Sequence, residues 1–238
     1  MEEKITLKEA LLGRKSTRSY LSDEFSDELL NEIKSLANNI TPLIEGSPVR
    51  AEIITKDEVK AIMPWRAPYY IAIYSADSNE GRLNAGYVFE QVVLRLTQAG
   101  IATCWATSVS AKEKHCEEGE SQVAVIAFGY PKDGSYLRND SPKRDDLKEI
   151  SDFEGDEYEA ARIAPSAMNN QPWKFVNEDG NVVLFCKKQG FIKKFLVEQN
   201  RIDLGIALGN MAVVKPFSFK KLDEIEKNGY IRIGKLIF

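Results

Sequence analysis

The chain has 238 residues, 43% hydrophobic and 29% charged, which is ordinary for a soluble globular protein and enough for one large domain or two small ones. A net charge of −4 argues against general nucleic-acid affinity, no apolar run is long enough to span a bilayer, and the start MEEKITLKEALLGRKS is too charged for a signal peptide. Cys104, Cys116 and Cys186 show no CxxC spacing, and the single histidine, His115, sits in the charged run KEKHCEEGE; a multi-histidine metal site is excluded, and a reduced, cytoplasmic chain is expected.

Thr6, with Glu9 three residues on, forms a capping box that opens a short helix ending at Gly13, and RKSTRSY follows. Ser26 caps a second helix running to Asn38, with Leu29, Leu30, Ile33, Leu36 and Ala37 on its apolar face. Two prolines and a glycine make Thr41 to Val49 a loop, before an expected strand at Arg50 to Thr55. The aromatic and β-branched run APYYIAIYSA is a second strand. Asn84 to Ala99 is a long helix, apolar over most of its surface, ended by Gly100. QVAVIAFGYP is another strand, and the hydrophilic stretch Lys132 to Asp146 follows. A short helix, Glu157 to Ala164, leads into APSAMNNQPWKF, whose prolines, serine and asparagines mark a built turn. WKFVNEDGNVVLFCKK reads as a hairpin with Asp179-Gly180 at its tip, Asp203 to Val214 as an apolar helix, and YIRIGKLIF as a last strand. Without a strict βαβ rhythm, these elements predict an α+β layered domain rather than a doubly wound sheet.

RKSTRSY places Arg14, Lys15 and Arg18 around two hydroxyls just after a helix stop, an arrangement that can grip a phosphate; taken alone it also reads as a solvated basic turn. SPKR, Ser141 to Arg144, is a weaker signal that would add charge to the same anion. The APSAMNN turn carries amides and backbone N–H groups beside an aromatic, donors that suit the edge of a planar heterocycle, although a helix end with asparagine caps is the plainer reading. An internal echo joins RLNAGYVFEQVV (Arg82 to Val93) to RIDLGIALGNMA (Arg201 to Ala212), at an offset of 201 − 82 = 119, half the chain. Each copy has an arginine, an aliphatic residue, Asn or Asp, a spaced glycine, then Gln or Asn. A true duplication would give two related halves, 1–150 and 151–238, with Gly86 and Gly205 letting two helix backbones approach closely.

Four segments, Arg14-Lys15-Ser16-Thr17-Arg18, GIATCW (Gly100 to Trp105), GYP (Gly129 to Pro131) and PSAMNNQPW (Pro165 to Trp173), together resemble the nitroreductase-like flavin family. Its corresponding segments are RRSxR, GLGxCW, GYP and APSxxNxQPW. The resemblance touches most of the chain, and the Ser/Pro/Asn turn is its most specific piece. It implies a nitroreductase-like α+β fold, a central mixed sheet flanked by helices, in two pseudo-symmetric halves. It also implies an FMN cofactor and hydride transfer from NAD(P)H to a small acceptor such as a nitroaromatic or a quinone. The order departs from the family's, because here the turn comes after GYP, and TPLIEGSPVRAEII at the matching place in the first half has lost the pattern. Family members are homodimers with FMN at the interface. The displaced turn therefore implies two fused half-copies, a monomeric pseudo-dimer with one FMN per chain.

Carried over by position, Arg14, Lys15 and Ser16 would hold the FMN phosphate and ribityl chain, and Arg18 would approach the pyrimidine edge. Pro165, Ser166, Ala167 and Asn169 would line the ring. Thr107 and Ser108 occupy the place after the CW segment where family members contact the flavin, and Arg144 matches the family's phosphate arginine, with Lys143 beside it. The resemblance implies no acid or base side chain; no metal site and no nucleic-acid or membrane partner are expected from the single histidine, the net charge and the lack of a long apolar run. A flavin-binding carrier or sensor without turnover is the alternative.

Overall fold

Thr6 forms its capping box: its backbone N–H and hydroxyl both reach Glu9 Oε2 at 2.7 Å, and its Oγ1 accepts the Glu9 N–H at 3.2 Å. This starts α1 (Leu7–Gly13) of a computed structural model that describes residues 1–62, 67–113, 115–189 and 196–238. The chain divides into two compact units. Met1–Thr41, Pro48–Ser78 and Gln91–Ser141 make the first; Pro42–Ser47, Asn79–Glu90 and Pro142–Phe238 make the second. Among the described residues no helix is long and apolar enough to cross a membrane.

Along the first unit run α1, α2 (Asp27–Leu36), β1 (Val49–Thr55), β2 (Val59–Ala61) and β3 (Tyr69–Ala76). After α3 (Asn79–Gln98) come β4 (Ala102–Trp105), β5 (Val109–Ala111) and β6 (Glu120–Gly129). The main sheet has the order β1-β3-β6-β4, antiparallel throughout, and β2 pairs with β5. Central β3 is buried on both faces, which accounts for its unbroken apolar and aromatic run. Phe25 stacks on Tyr69 at 5.4 Å and meets Tyr130 edge-on at 4.9 Å, closing one end of this core. Gly100, at φ +79, ends α3 and lets the Ile101 N–H return to the Leu96 carbonyl at 2.9 Å.

The second unit contains α4 (Leu147–Ile150), α5 (Asp156–Arg162), β7 (Trp173–Glu178), β8 (Asn181–Lys187), α6 (Leu196–Val214), β9 (Ser218–Lys221), β10 (Glu226–Lys227) and β11 (Tyr230–Ile237). β7 and β8 form the expected hairpin, with Asp179 at φ 51 and Gly180 at φ 80 making its two-residue turn. β8 lies along one edge of β11, and β9 and β10 share the other, all antiparallel. The order β7-β8-β11-β9 repeats that of the first sheet, strand for strand. Counting only the four strands of each order, the sequence of elements repeats as well: two helices, two strands, a long helix, two strands. Parallel pairing occurs at the isolated bridges Ser16–Thr103 and Ser151–Phe175.

Both long helices start earlier than their apolar patterns suggest, α3 at Asn79 and α6 at Leu196. The residues that extend them are mostly polar, Asn79, Glu80 and Arg82 in α3 and Glu198 to Arg201 in α6, and Arg82 pairs with Glu198 at 3.1 Å. The strands β2, β5, β9 and β10 and the helix α4 are too short to leave a periodicity. Within the second unit α3 and α6 cross backbone to backbone. A Cβ on Gly86 would meet the Ile202 carbonyl oxygen and lie 2.8 Å from the Ile206 nitrogen; one on Gly205 would meet the Leu83 carbonyl oxygen and lie 2.7 Å from the Tyr87 nitrogen. The two sets of contacts exchange under the 119-residue offset of the echo.

Candidate functional site

In the first unit, Arg14 ends α1, donating its N–H to the Ala10 carbonyl at 2.8 Å. Its own carbonyl accepts Arg138 Nε at 2.6 Å and Arg138 Nη2. The chain then runs beside β4, with Ser16 bridged to Thr103 and the Thr17 N–H on the Thr103 carbonyl at 2.9 Å. Arg14 is only 3% exposed. Lys15 Nζ lies 3.4 Å from Asp133 Oδ2 in an open, solvent-exposed ion pair. Arg18 is exposed and has no carboxylate against it among the described residues. Burial pushes the Cys104 thiol up, against the opposing charges of Arg18 and Arg14 and a hydrogen bond with Ser16. Thr17 Oγ1 and Thr103 Oγ1 are buried without a hydrogen-bond partner among the described residues, although buried hydroxyls are normally satisfied. Thr107 and Ser108 form the turn after β4, where the Ser108 carbonyl accepts the Ile62 N–H at 3.2 Å.

In the second unit, Lys143, Arg144 and the turn residues come together. Arg144 donates through Nε to the Ala164 carbonyl at 2.9 Å and through Nη1 to Asn169 Oδ1 at 2.7 Å. Asn169 Nδ2 returns to the Lys143 carbonyl at 3.3 Å, and Lys143 itself is exposed. The turn contains a 3-10 segment, Ala167–Asn169, and three left-handed non-glycine residues: Met168 at φ 53, Asn169 at φ 56 and, just beyond the segment, Gln171 at φ 45. Such residues cost roughly 1–2 kcal/mol each, less for asparagine, and they cluster at functional sites. The Asn169 N–H goes to the Ser166 carbonyl, the Asn170 N–H to the Ala167 carbonyl and the Gln171 N–H to Ser166 Oγ, each at 3.0 Å. The sequence suggested backbone donors offered outward; these three, and that of Ala167, are engaged within the unit. What the turn presents is the side chain of Met168, 76% exposed, with Asn169 beside it.

The Ala167 N–H lies 3.1 Å from both Oδ1 and Oδ2 of Asp203 on α6. Burial pushes the Asp203 carboxyl up to about 8, opposed by the Ala167 hydrogen bond. Asp203, Asn200 and Arg138 were not singled out as site residues from the sequence. The echo pairs Asp203 with Asn84, which is the one signal that marks it.

The donor sets suit a phosphorylated planar ligand by their chemistry. Three cations within five residues flank two hydroxyls in the first unit, and in the second a lysine and an arginine sit against a strained turn with an exposed thioether.

The α+β elements with this repeated strand order form a nitroreductase-like fold. Over its whole length the chain is similar to a crystal structure from Thermotoga maritima MSB8 described as a "putative nitroreductase", with TM-score 0.66 and 21% identity over 95% of that chain. The chain belongs to the family described as "Putative TM nitroreductase", whose profile matches residues 6–214. A weaker likeness, TM-score 0.48 at 15% identity, joins 63% of this chain to all of the FMN and NADPH-dependent nitroreductase NfnB from sphigopyxis sp. strain HMH. Another, TM-score 0.46 at 15% identity, joins 62% of it to 98% of a nitroreductase with bound FMN from Desulfitobacterium hafniense DCB-2. No curated protein matches the chain.

Proposed function

We propose that the protein is an FMN-dependent NAD(P)H oxidoreductase that reduces nitroaromatic, quinone or similar small acceptors. Membership of the nitroreductase family across residues 6–214 carries this reading, because that span contains both the cationic segment and the strained turn. Residues 1–150 would supply the phosphate side and 151–238 the ring-side turn. Bound FMN would supply two-electron transfer between a nicotinamide and an acceptor. Arg14, Lys15 and Ser16 would hold the phosphate through charge-assisted hydrogen bonds, with Lys143 and Arg144 adding positive charge. Exposed Arg18 would place a fixed cation at the pyrimidine edge, where reduction leaves negative charge. Thr107 and Ser108 would border the ring. Pro165, Ser166, Ala167 and Asn169 would line it, contributing shape more than donors, since the Ala167 and Asn169 N–H groups are already engaged and proline has none. With no acid or base side chain required, nicotinamide and acceptor would use one site in turn, giving ping-pong kinetics. The repeated strand order and the exchanging contacts of Gly86 and Gly205 support a fused duplication. The loop Pro42–Ser47 then stands where a second turn would be, so one FMN per chain is expected.

The purified protein should oxidise NADH or NADPH with a quinone in parallel-line kinetics, and heat should release flavin in a ratio to protein near one. A chain that takes up no FMN overturns the proposal, and a ratio near two overturns the single site. Arg14→Ala should weaken FMN binding by about 1.5–3 kcal/mol, the scale of a charge-assisted hydrogen bond. Riboflavin, which lacks the phosphate, should bind as before. Because Arg14 is buried, the riboflavin titration also reads damage to the fold: equal loss for both ligands would contradict the phosphate role.

A further inference from the structure

Asn84 on α3 and Asp203 on α6 occupy one position of the echo, and each holds a loop by its backbone. Asn84 Oδ1 accepts the Ile44 N–H at 2.9 Å, while its Nδ2 donates to the carbonyls of Ile44 and Ser47 at 2.8 and 2.7 Å. Asp203 takes the Ala167 N–H in the same way. Ile44 comes two residues after Pro42, as Ala167 comes two after Pro165, and in both loops the residue two further on, Gly46 and Asn169, is left-handed, although in the second loop Met168 before it is left-handed as well. Both anchoring side chains are almost wholly buried. One helical turn before Asp203, buried Asn200 accepts Asn170 Nδ2 at 3.0 Å. Residues three apart share a helix face, so α6 presents two acceptors to one turn.

The backbone bonds of Asn169, Asn170 and Gln171 are internal to the turn and fix its shape, while Arg144 holds the Ala164 carbonyl at its start. The contacts of Asp203 and Asn200 fix its place on the core. We infer that Asp203 is the positioning residue of the Ala164–Gln171 turn, latching it to α6 as Asn84 latches Pro42–Ser47 to α3, and so setting how the turn meets a bound flavin. The flavin half of this rests on the FMN reading above; the latch rests on the geometry alone. The parallel with Asn84 also means that an amide can do the work of the acid.

Hydrogen exchange read by mass spectrometry on the cofactor-free protein, together with fluorescence titration by FMN, tests both halves. Asp203→Ala should speed exchange over residues 166–170 and weaken FMN binding, each by about tenfold, the scale of one lost buried hydrogen bond. Asp203→Asn should restore both. Asn84→Ala should speed exchange over residues 42–47 and leave FMN affinity unchanged. A turn that stays protected in Asp203→Ala overturns the latch, and Asp203→Asn as damaging as Asp203→Ala overturns the equivalence with Asn84. If Asp203→Ala does not fold, Asn200→Ala is measured instead, and unchanged exchange over residues 166–170 there overturns the latch. A wild-type chain that binds no FMN sinks the cofactor reading, while the exchange data still decide the latch.

Discussion

Gly205→Ala is expected to destabilise the protein by about 3 kcal/mol, at the top of the usual range for overpacking. Alanine is normally the better helix residue, by about 1 kcal/mol. Here the added methyl would run into the Leu83 carbonyl oxygen and the Tyr87 nitrogen, backbone atoms of a buried helix that cannot swing aside as a side chain would. The helices must move apart, and contacts along both are lost with them. For a chain of this size about 3 kcal/mol corresponds to a melting temperature lower by about 6–12 °C. Gly86→Ala, with the reciprocal contacts, should cost about as much. Asp203 is two residues from Gly205, so displacement of α6 should also loosen the flavin-facing turn and lower cofactor retention. Thermal unfolding with flavin release followed in parallel checks this, and a Gly205→Ala chain with wild-type melting temperature and cofactor content would sink the close-contact arrangement.

Stability should fall as pH rises from about 4 to about 8, and Asp203 should be a main cause. Its carboxyl titrates near 8 in the folded chain because burial disfavours the charged form, against a reference of 3.8. Between those values the folded state keeps a proton that the unfolded state has lost. The unfolded state therefore binds fewer protons, and the slope of unfolding free energy with pH is negative, up to about 1.4 kcal/mol per pH unit for one group. Below about 4 both states are protonated; above about 8 both are ionised and the loss is complete. The neighbouring Cys186 thiol, raised by burial to about 11 with Arg201 opposing and Asp203 and Glu224 adding, stays neutral across this window. Urea unfolding of wild type and Asp203→Asn from about pH 5 to about pH 8.5 measures the effect. The amide variant should gain on the wild type steadily as pH rises; a difference independent of pH would contradict the assignment.

The elements that could be read from the sequence were those with a local cause. The Thr6 capping box, the Ser26 cap, the Asp179-Gly180 turn and the buried run of β3 each depend on neighbours in the chain, and each formed where expected. The starts of α3 and α6 were misplaced because the residues that extend them are mostly polar and are secured by an ion pair between distant residues, Arg82 with Glu198. For the candidate site, motif spacing picked out the cationic segment and the turn, and the structure adds how each is held. Arg144 on Asn169 and Arg138 on the Arg14 carbonyl join residues 25 and 124 positions apart. Asp203 escaped notice for the same reason: in sequence it is one acid in an apolar helix, and only the fold brings the Ala167 N–H to it.

The crossing of α3 and α6 also bears on the order in which the chain can be assembled. Gly86 leaves the ribosome 119 residues before Gly205. At synthesis rates of about 5–20 residues per second, the groove at Gly86 waits roughly 6–24 s for the backbone that will fill it. A helix contact on this fold's glycines thus cannot form before that interval has passed, and the segment Asn79–Glu90 must stay competent to pair throughout it.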